Sequence, residues 1–509
     1  MLKAFYCALV WLIACAVTAE EIDQQKMKNW HQWRGPDGTG VAPLGDPPTE
    51  WSETHNIKWK VAIPGRGSAS PVVWGDRIFV LTAIRIDGAE EADETARVPI
   101  GPRAQAAVHH KPLLKNDEAR MTNDESSAFV VRHSAVRRSS LIVAQRDDRP
   151  RDGESRDRER GRRGGFGRGG FGVERPSEQY QFVVLCIDRG SGATIWQRSA
   201  VEAVPHEGHH QTGSFASASP VTDGRFVYAS FGSRGLYCYD LAGNLQWAKD
   251  LGDMHTRMSF GEGSSPALSD GTLIVQWDHE GEDFIVALDA RTGNEKWRTP
   301  RDEPSTWATP LVVEAAGRKQ VVTSGSNRIR SYDFSNGELI WECGGLGSNP
   351  IATPITIDGL AIAMSGHHDP AGIAVPLTAK GDVTGSDEIV WQVEGTTPYV
   401  STPVLYEDTL YFVKSRNAIL SSLNAKTGET IIDQKRLPGM DTIYASPVAA
   451  NGRVYFSSRE GTTVVIEHGP NLRILANNEL DETIDASPAI VGKEMILRGE
   501  NHLYCIAEQ

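Results

Sequence analysis

The chain has 509 residues, a net charge of −14 and 50 glycines, with an ordinary share of charged side chains. That acidity argues against a general phosphate-backbone binder, so no nucleic-acid partner is expected. The length would allow several domains, but internal repeats must be sought before the chain is divided.

The first stretch, Met1-Leu2-Lys3 followed by the apolar run 4–17, reads as a secretory leader. Val17-Thr18-Ala19 offers a small-residue cleavage site, giving a signal peptide over 1–19. The run is shorter than the roughly 20 residues a spanning helix needs. Leu12-Ile13-Ala14-Cys15 also resembles a lipobox, so Cys15 is the candidate for lipidation and membrane anchoring. The expected location is the periplasm or cell envelope.

Residues 20–56 read as an irregular extension. Within it, Asn29-Trp30-His31-Gln32-Trp33-Arg34-Gly35-Pro36 is rich in Gly, Pro and Trp, a composition that suits covering a sheet edge or a channel mouth. An alternating strand follows over 57–63, centred on Trp59.

From there to residue 509 the chain repeats. One landmark is a Ser or Thr followed by Pro, a strand, a turn and a second strand. It occurs at Pro71, Pro220, Pro266, Pro310, Pro354, Pro403, Pro447 and Pro488. Proline at the start of a strand removes no ladder bond, which is where sheets accept it. From Pro220 the steps are 46, 44, 44, 49, 44 and 41 residues. About four short strands per unit at that period predict a β-propeller.

The second landmark ends each unit. Ala287-Leu288-Asp289-Ala290-Arg291-Thr292-Gly293 runs on to Trp297, and related hairpins lead to Trp196, Trp247 and Trp341. Thr-Gly supplies the positive φ a tight turn needs. Asp188, Asp240, Asp289 and Asp333 recur in register and so read as turn-formers. Cys186, Cys238 and Cys505 also share one register. Equivalent positions in stacked sheets lie about 10 Å apart, beyond the ~7 Å reach of a disulfide. With Cys343 they read as small buried residues.

The last unit, ending at Leu503-Tyr504-Cys505-Ile506, lacks a Trp strand, and the strand at Trp59 lacks a partner. Pairing them predicts closure of an eighth blade, which removes open edges. The first step, Pro71 to Pro220, is 149 residues, leaving an insertion over 84–179 in blade one. Its Arg/Asp/Glu and Gly/Arg/Phe tracts are too polar to order themselves, and local structure is expected only near 129–143. The Gly/Arg/Phe run resembles an RGG-type segment, but the acidic total and the predicted export argue for a polar linker.

With the repeats laid out, the chain resembles the pyrroloquinoline-quinone (PQQ) repeat family. The Ala-x-Asp-x-x-Thr-Gly-x-x-x-Trp signature is complete at Ala287 to Trp297. The resemblance implies an eight-bladed, all-β propeller of four-stranded antiparallel blades in which Trp59, Trp196, Trp247, Trp297, Trp341 and Trp391 dock neighbouring blades. The family includes quinone-dependent dehydrogenases and non-catalytic BamB-like envelope propellers. The Trp33-Arg34-Gly35-Pro36 opening also resembles secreted PQQ-like proteins of planctomycete-type bacteria. The chain has no adjacent cysteine pair, and no position matches the dehydrogenases' catalytic residues. PQQ with Ca²⁺ is therefore a cofactor the resemblance allows but these residues do not call for. The expected function is a monomeric, non-catalytic propeller that binds or scaffolds an envelope protein or peptide. The alternatives are a PQQ-type oxidoreductase and a small-ligand sensor.

Few residues suggest chemistry. His206-Glu207-Gly208-His209-His210 spells the zincin His-Glu-x-x-His, but Pro205, Gly208 and Gly213 deny it the helix that motif requires. A weaker metal set is His209, His210, His367, His368 and Asp369, if their loops share a rim. Trp277, Asp278, His279, Glu280 and Trp307 break the repeat pattern between strands, which makes them candidates for a binding loop.

Overall fold

The computed structural model describes residues 24–86 and 173–508, and the fold follows from where each prolyl landmark sits. In all eight units the first strand begins at the residue after the landmark proline, from Val72–Trp74 to Ala489–Val491. Proline thus sits where no ladder donor is lost. The strands form eight sheets, each with four antiparallel strands, and the chain is an eight-bladed β-propeller. We number the blades by residues: 1, 72–203; 2, 221–249; 3, 267–300; 4, 311–343; 5, 355–394; 6, 404–436; 7, 448–479. Blade 8 is 489–506 joined by 57–62.

Closure is by the N-terminal strand. Ile57–Ala62 pairs antiparallel with His502–Ile506, placing Trp59 opposite Cys505. The same register recurs elsewhere: Trp196 faces Cys186, Trp247 faces Cys238, Trp297 faces Ala287 and Trp391 faces Ala374. A small residue opposite leaves the indole room to lean toward the next blade. Cys186, Cys238, Cys343 and Cys505 are free thiols, all buried.

The signature turn has a mechanical reading. Trp59, Trp196, Trp247, Trp297 and Trp391 donate Nε1–H to the carbonyls of Arg189, Leu241, Ala290, Phe334 and Ala425, each in the hairpin turn of the neighbouring blade. Each ring lies on that turn's glycine: Gly192, Gly243, Gly293, Gly337 or Gly428. All five glycines have φ between +71° and +82°, so the position demands glycine both for backbone and for space. Asp188, Asp289 and Asp333 accept bonds from residues two or three further along the same turns, and these bonds help hold the carboxyls of Asp188 and Asp289 below the usual range.

Trp341 departs from this pattern. It is fully buried and its Nε1 has no hydrogen-bond partner among the described residues. Blade 5 lacks the tight hairpin there. Its longer connection sends Gly381–Asp382 back as a fifth, parallel strand on blade 4, with Trp341 opposite Gly381. Leu377, Ala379 and Val383 complete the apolar cover.

In blade 1, Arg77–Arg85 and Tyr180–Asp188 pair along their whole length, ending at Arg85 opposite Tyr180. The ladder therefore runs slightly into the span 84–179 assigned to the insertion. Residues 87–172, the expected signal peptide over 1–19 and the lipidation candidate Cys15 lie outside the described residues. No helix among the described residues is long and apolar enough to cross a membrane.

The N-terminal extension crosses the propeller axis. His31 accepts from Thr222 N of blade 2, and Thr39 accepts from Leu405 N of blade 6, on the opposite side of the ring. Trp30 exchanges two backbone bonds with Val73, and Gly40 and Ala42 bracket Ala449 of blade 7. The segment thus pairs the inner edges that a propeller leaves open. The Arg34 guanidinium is buried and donates to the carbonyls of Pro403 and Pro447 at 2.6 Å each. Burial without a carboxylate pulls its pKa down to about 9.

A closed ring of hydrogen bonds lies next to this plug. The backbone N–H of Ser70 donates to Ser219 Oγ, and the relay continues through Ser265, Thr309, Thr353, Thr402, Ser446 and Ser487 back to Ser70 Oγ, at 2.8–3.3 Å. Each hydroxyl therefore satisfies the neighbouring blade's amide. Thr402→Val, nearly isosteric, would strand the buried Thr353 N–H and is expected to cost about 1–3 kcal/mol. Thr402→Ser, which keeps the acceptor, should cost less. Equal urea midpoints for the two variants would remove the ring from the stability account.

Candidate functional site

The hydroxyl ring and Trp33 form the floor of a central cavity of about 640 Å³. Trp33 is anchored by its Nε1–H on Thr353 Oγ1 at 3.1 Å. Because each ring hydroxyl already accepts an amide bond, its own proton remains to meet a ligand. The walls come from two loop sets: those entering each inner strand, and those joining the second and third strands of blades 5 and 6. The plug closes one mouth, so the cavity opens on the loop-bearing face.

The aromatic wall consists of Phe260, Trp307, Tyr399, Tyr444 and His367. His367 stacks against Tyr399, centroids 4.9 Å apart. Trp307 is locked by Nε1–H on the Gly261 carbonyl at 2.7 Å. The charged wall is asymmetric. Asp485 is held by both arms of Arg459, and Glu262 takes the backbone amide and hydroxyl of Ser233. Burial raises both carboxyls, that of Glu262 to about 7. Lys414 and Arg416 also line the cavity, and neither has an acidic partner among the described residues.

The metal candidates read from the sequence divide. His210 and His367 line this cavity, from blades 2 and 5, but neither belongs to a metal-sized group of three among the described residues. His209 points its Nδ1 at the His210 carbonyl and packs its ring on Phe215. His368 meets His367 edge-to-face, and Asp369 is a positive-φ residue in the bend that follows. Among the described residues the metal-sized set is a different one: His206, Glu207 and His255.

The binding-loop candidates also divide. Trp307 faces the cavity, and Trp277 lines a smaller side pocket while stacked on Phe284. Asp278 and His279 are buried rather than presented to solvent. Asp278 is drawn inward by Arg301, whose Nε and Nη2 grip both its oxygens at 2.6 and 3.0 Å. Glu280 fixes the next loop through Ser305. Lys414, Arg416, Tyr399 and Tyr444 were not singled out from the sequence, since nothing local marks a loop cation as facing an axis. The hydroxyls of the ring were legible: the residue before the landmark proline is Ser or Thr in all eight units.

A planar quinone bearing carboxylates fits part of this wall. Lys414 and Arg416 suit its carboxylates and the aromatic rings its faces. A Ca²⁺ beside it fits poorly, because both lining carboxylates are already engaged.

The family model described as outer membrane protein assembly factor BamB matches residues 181–358. Among solved structures, the quinohemoprotein alcohol dehydrogenase of Comamonas testosteroni aligns at 10% identity and a TM-score of 0.57, covering 97% of this chain and 83% of that one. A europium-containing methanol dehydrogenase aligns at 9% identity and 0.56, covering 96% and 100%. BamB from Moraxella catarrhalis aligns at 14% identity and 0.45, covering 64% and 88%. No curated protein matches the chain. Identities this low speak to fold alone. The closed ring of eight blades makes the chain an eight-bladed β-propeller, and over residues 181–358, together with its Ala287–Trp297 signature, it is similar to the PQQ-repeat family.

Proposed function

We propose that the protein is a binding propeller of the bacterial envelope whose one-ended cavity takes a small anionic ligand with a planar body. The observation that carries this reading is the pair of acid-free cations, Lys414 and Arg416, on a wall of aromatic rings above a floor of hydroxyls. Charge-assisted bonds are the strong ones, both cations are exposed to a ligand entering the mouth, and rings give a planar ligand faces to stack on. The envelope location rests on the leader-like N-terminus and on the name of the matched family model.

A folded protein partner is less well served by this geometry. The large exposed apolar side chains on the outermost strands, Ile195, Leu245, Leu339 and Ile474, stand one per blade. A peptide pairing with an outer edge strand is the route left to a partner. The second reading is a quinone enzyme, favoured by the same cations, which suit the carboxylates of PQQ.

PQQ is the probe, titrated calorimetrically into the purified chain with and without Ca²⁺. Saturable binding is expected without the metal. Lys414→Ala and Arg416→Ala should each weaken it about tenfold or more, the loss of one charge-assisted bond. Absent binding, or binding indifferent to both substitutions, would sink the anionic-ligand reading. Dye reduction with added alcohols or sugars would move the protein to the enzyme class.

A further inference from the structure

A second pocket lies in the cavity wall between blades 2 and 3, sharing Glu262 and Trp307 with the central cavity. At its rim the loop entering blade 2 meets the loop entering blade 3. His206 and Glu207 come from the first and His255 from the second, with their ligand atoms all within 4.8 Å of one another. We propose that His206, Glu207 and His255 form a mononuclear site for a divalent first-row cation of the zinc type. This inference does not depend on what occupies the central cavity.

Three details of the geometry point there. First, His206 Nε2 and His255 Nδ1 are 3.4 Å apart. Two nitrogens each about 2.0–2.1 Å from a tetrahedral zinc are separated by about 3.3–3.4 Å. Second, the other ring nitrogen of His206 faces Asp253 Oδ2 at 3.3 Å, and Asp253 is itself held by Arg234 at 3.0 Å. A carboxylate behind a histidine fixes the tautomer that leaves Nε2 free to ligate. Third, Glu207 spends Oε1 on the amide and hydroxyl of Thr256, which anchors it and leaves its second oxygen for a cation.

Two imidazoles and one carboxylate suit zinc-type ions and not Ca²⁺ or Mg²⁺, which prefer all-oxygen sets. His255 is exposed, so a cation can enter and a fourth position stays open to water or a ligand. The sequence spells a metal motif here, but only its first two residues serve. The third ligand lies 49 residues away, in the next blade's loop.

The test is titration of the chelator-treated full chain with Zn²⁺ by calorimetry, repeated with Co²⁺ followed by visible absorption. One equivalent is expected, with four-coordinate Co²⁺ intensity and no response to Mg²⁺ or Ca²⁺. The double variant His206→Ala/His255→Ala should lose one equivalent with its melting curve intact, and Glu207→Gln should bind at least tenfold more weakly. Asp253→Asn should cost about 10–100-fold through the orientation of His206. His210→Ala, which destroys the zincin spelling but not this cluster, should bind as the parent does. Unchanged stoichiometry in the double variant, or loss of binding in His210→Ala, would overturn the assignment.

Discussion

Replacing Arg301 by methionine is expected to destabilise the protein by about 3–5 kcal/mol, the cost of leaving a buried charge without its partner. The side chains of Arg301 and Asp278 are both fully buried. Arg301 also donates to Thr323 Oγ1 and Tyr332 OH at 2.9 and 2.6 Å, so one guanidinium ties blade 3 to blade 4. Asp278 receives Gln276 Nε2 and Thr306 Oγ1 as well, at 2.6 and 2.7 Å. The neighbouring carboxylate holds Arg301 more firmly protonated than burial alone would allow. Methionine removes every donor and strands Asp278. The double variant Arg301→Met/Asp278→Leu removes both charges and should recover a large part of the loss, because an apolar pair of similar volume is often as stable as a buried ion pair. Urea midpoints of the three proteins decide it. A single-variant loss under about 1 kcal/mol would mean water reaches Asp278.

That network shows where sequence reading stops. The propeller was legible because its signals are local and repeated: a proline one residue before each inner strand, a Thr-Gly turn, a Trp four residues beyond. Closure by the strand at Trp59 followed from counting unpaired half-motifs. Asp278 was misplaced for the opposite reason. It looks like an acidic loop residue beside His279 and Glu280, and only its partner 23 residues away pulls it into the core. The central cavity has the same character. Lys414 and Arg416 are ordinary in their own loop, and their meaning comes from the surrounding blades, none of whose described carboxylates forms an ion pair with them. The Trp33 and Arg34 segment falls between these cases. Its composition suggested covering a channel mouth, while the route from blade 2 to blade 6 depends on backbone groups that no side chain announces.

The docking unit gives a prediction of comparable size, with a sign that separates packing from backbone. Trp297→Ala is expected to cost about 3–5 kcal/mol, as loss of a large buried aromatic usually does. It removes both the ring lying on Gly337 and the Nε1–H bond to the Phe334 carbonyl at 2.9 Å. Gly337→Ala should be destabilising for two distinct reasons. Its φ of +76° disfavours any side chain, by about 1–2 kcal/mol. The new Cβ would also meet the Trp297 ring at 2.4 Å, inside any tolerable contact. In the Trp297→Ala background the clash with the indole vanishes, while the contact with Thr299 Oγ1 at 2.7 Å and the backbone part persist. The cost of Gly337→Ala should therefore shrink by the part due to the indole, giving a coupling of about 1 kcal/mol or more between the two positions. Additive losses would mean the indole does not rest on that glycine. Trp341 supplies the contrast, since its cover comes from Val383 and its neighbours on the longer connection. Gly381, the residue opposite Trp341, has open space around an added Cβ, so Gly381→Ala should cost only its backbone part, since its φ is +68°. The repeat thus uses glycine against the tryptophan wherever the tight turn exists, and releases that requirement where the turn is lost.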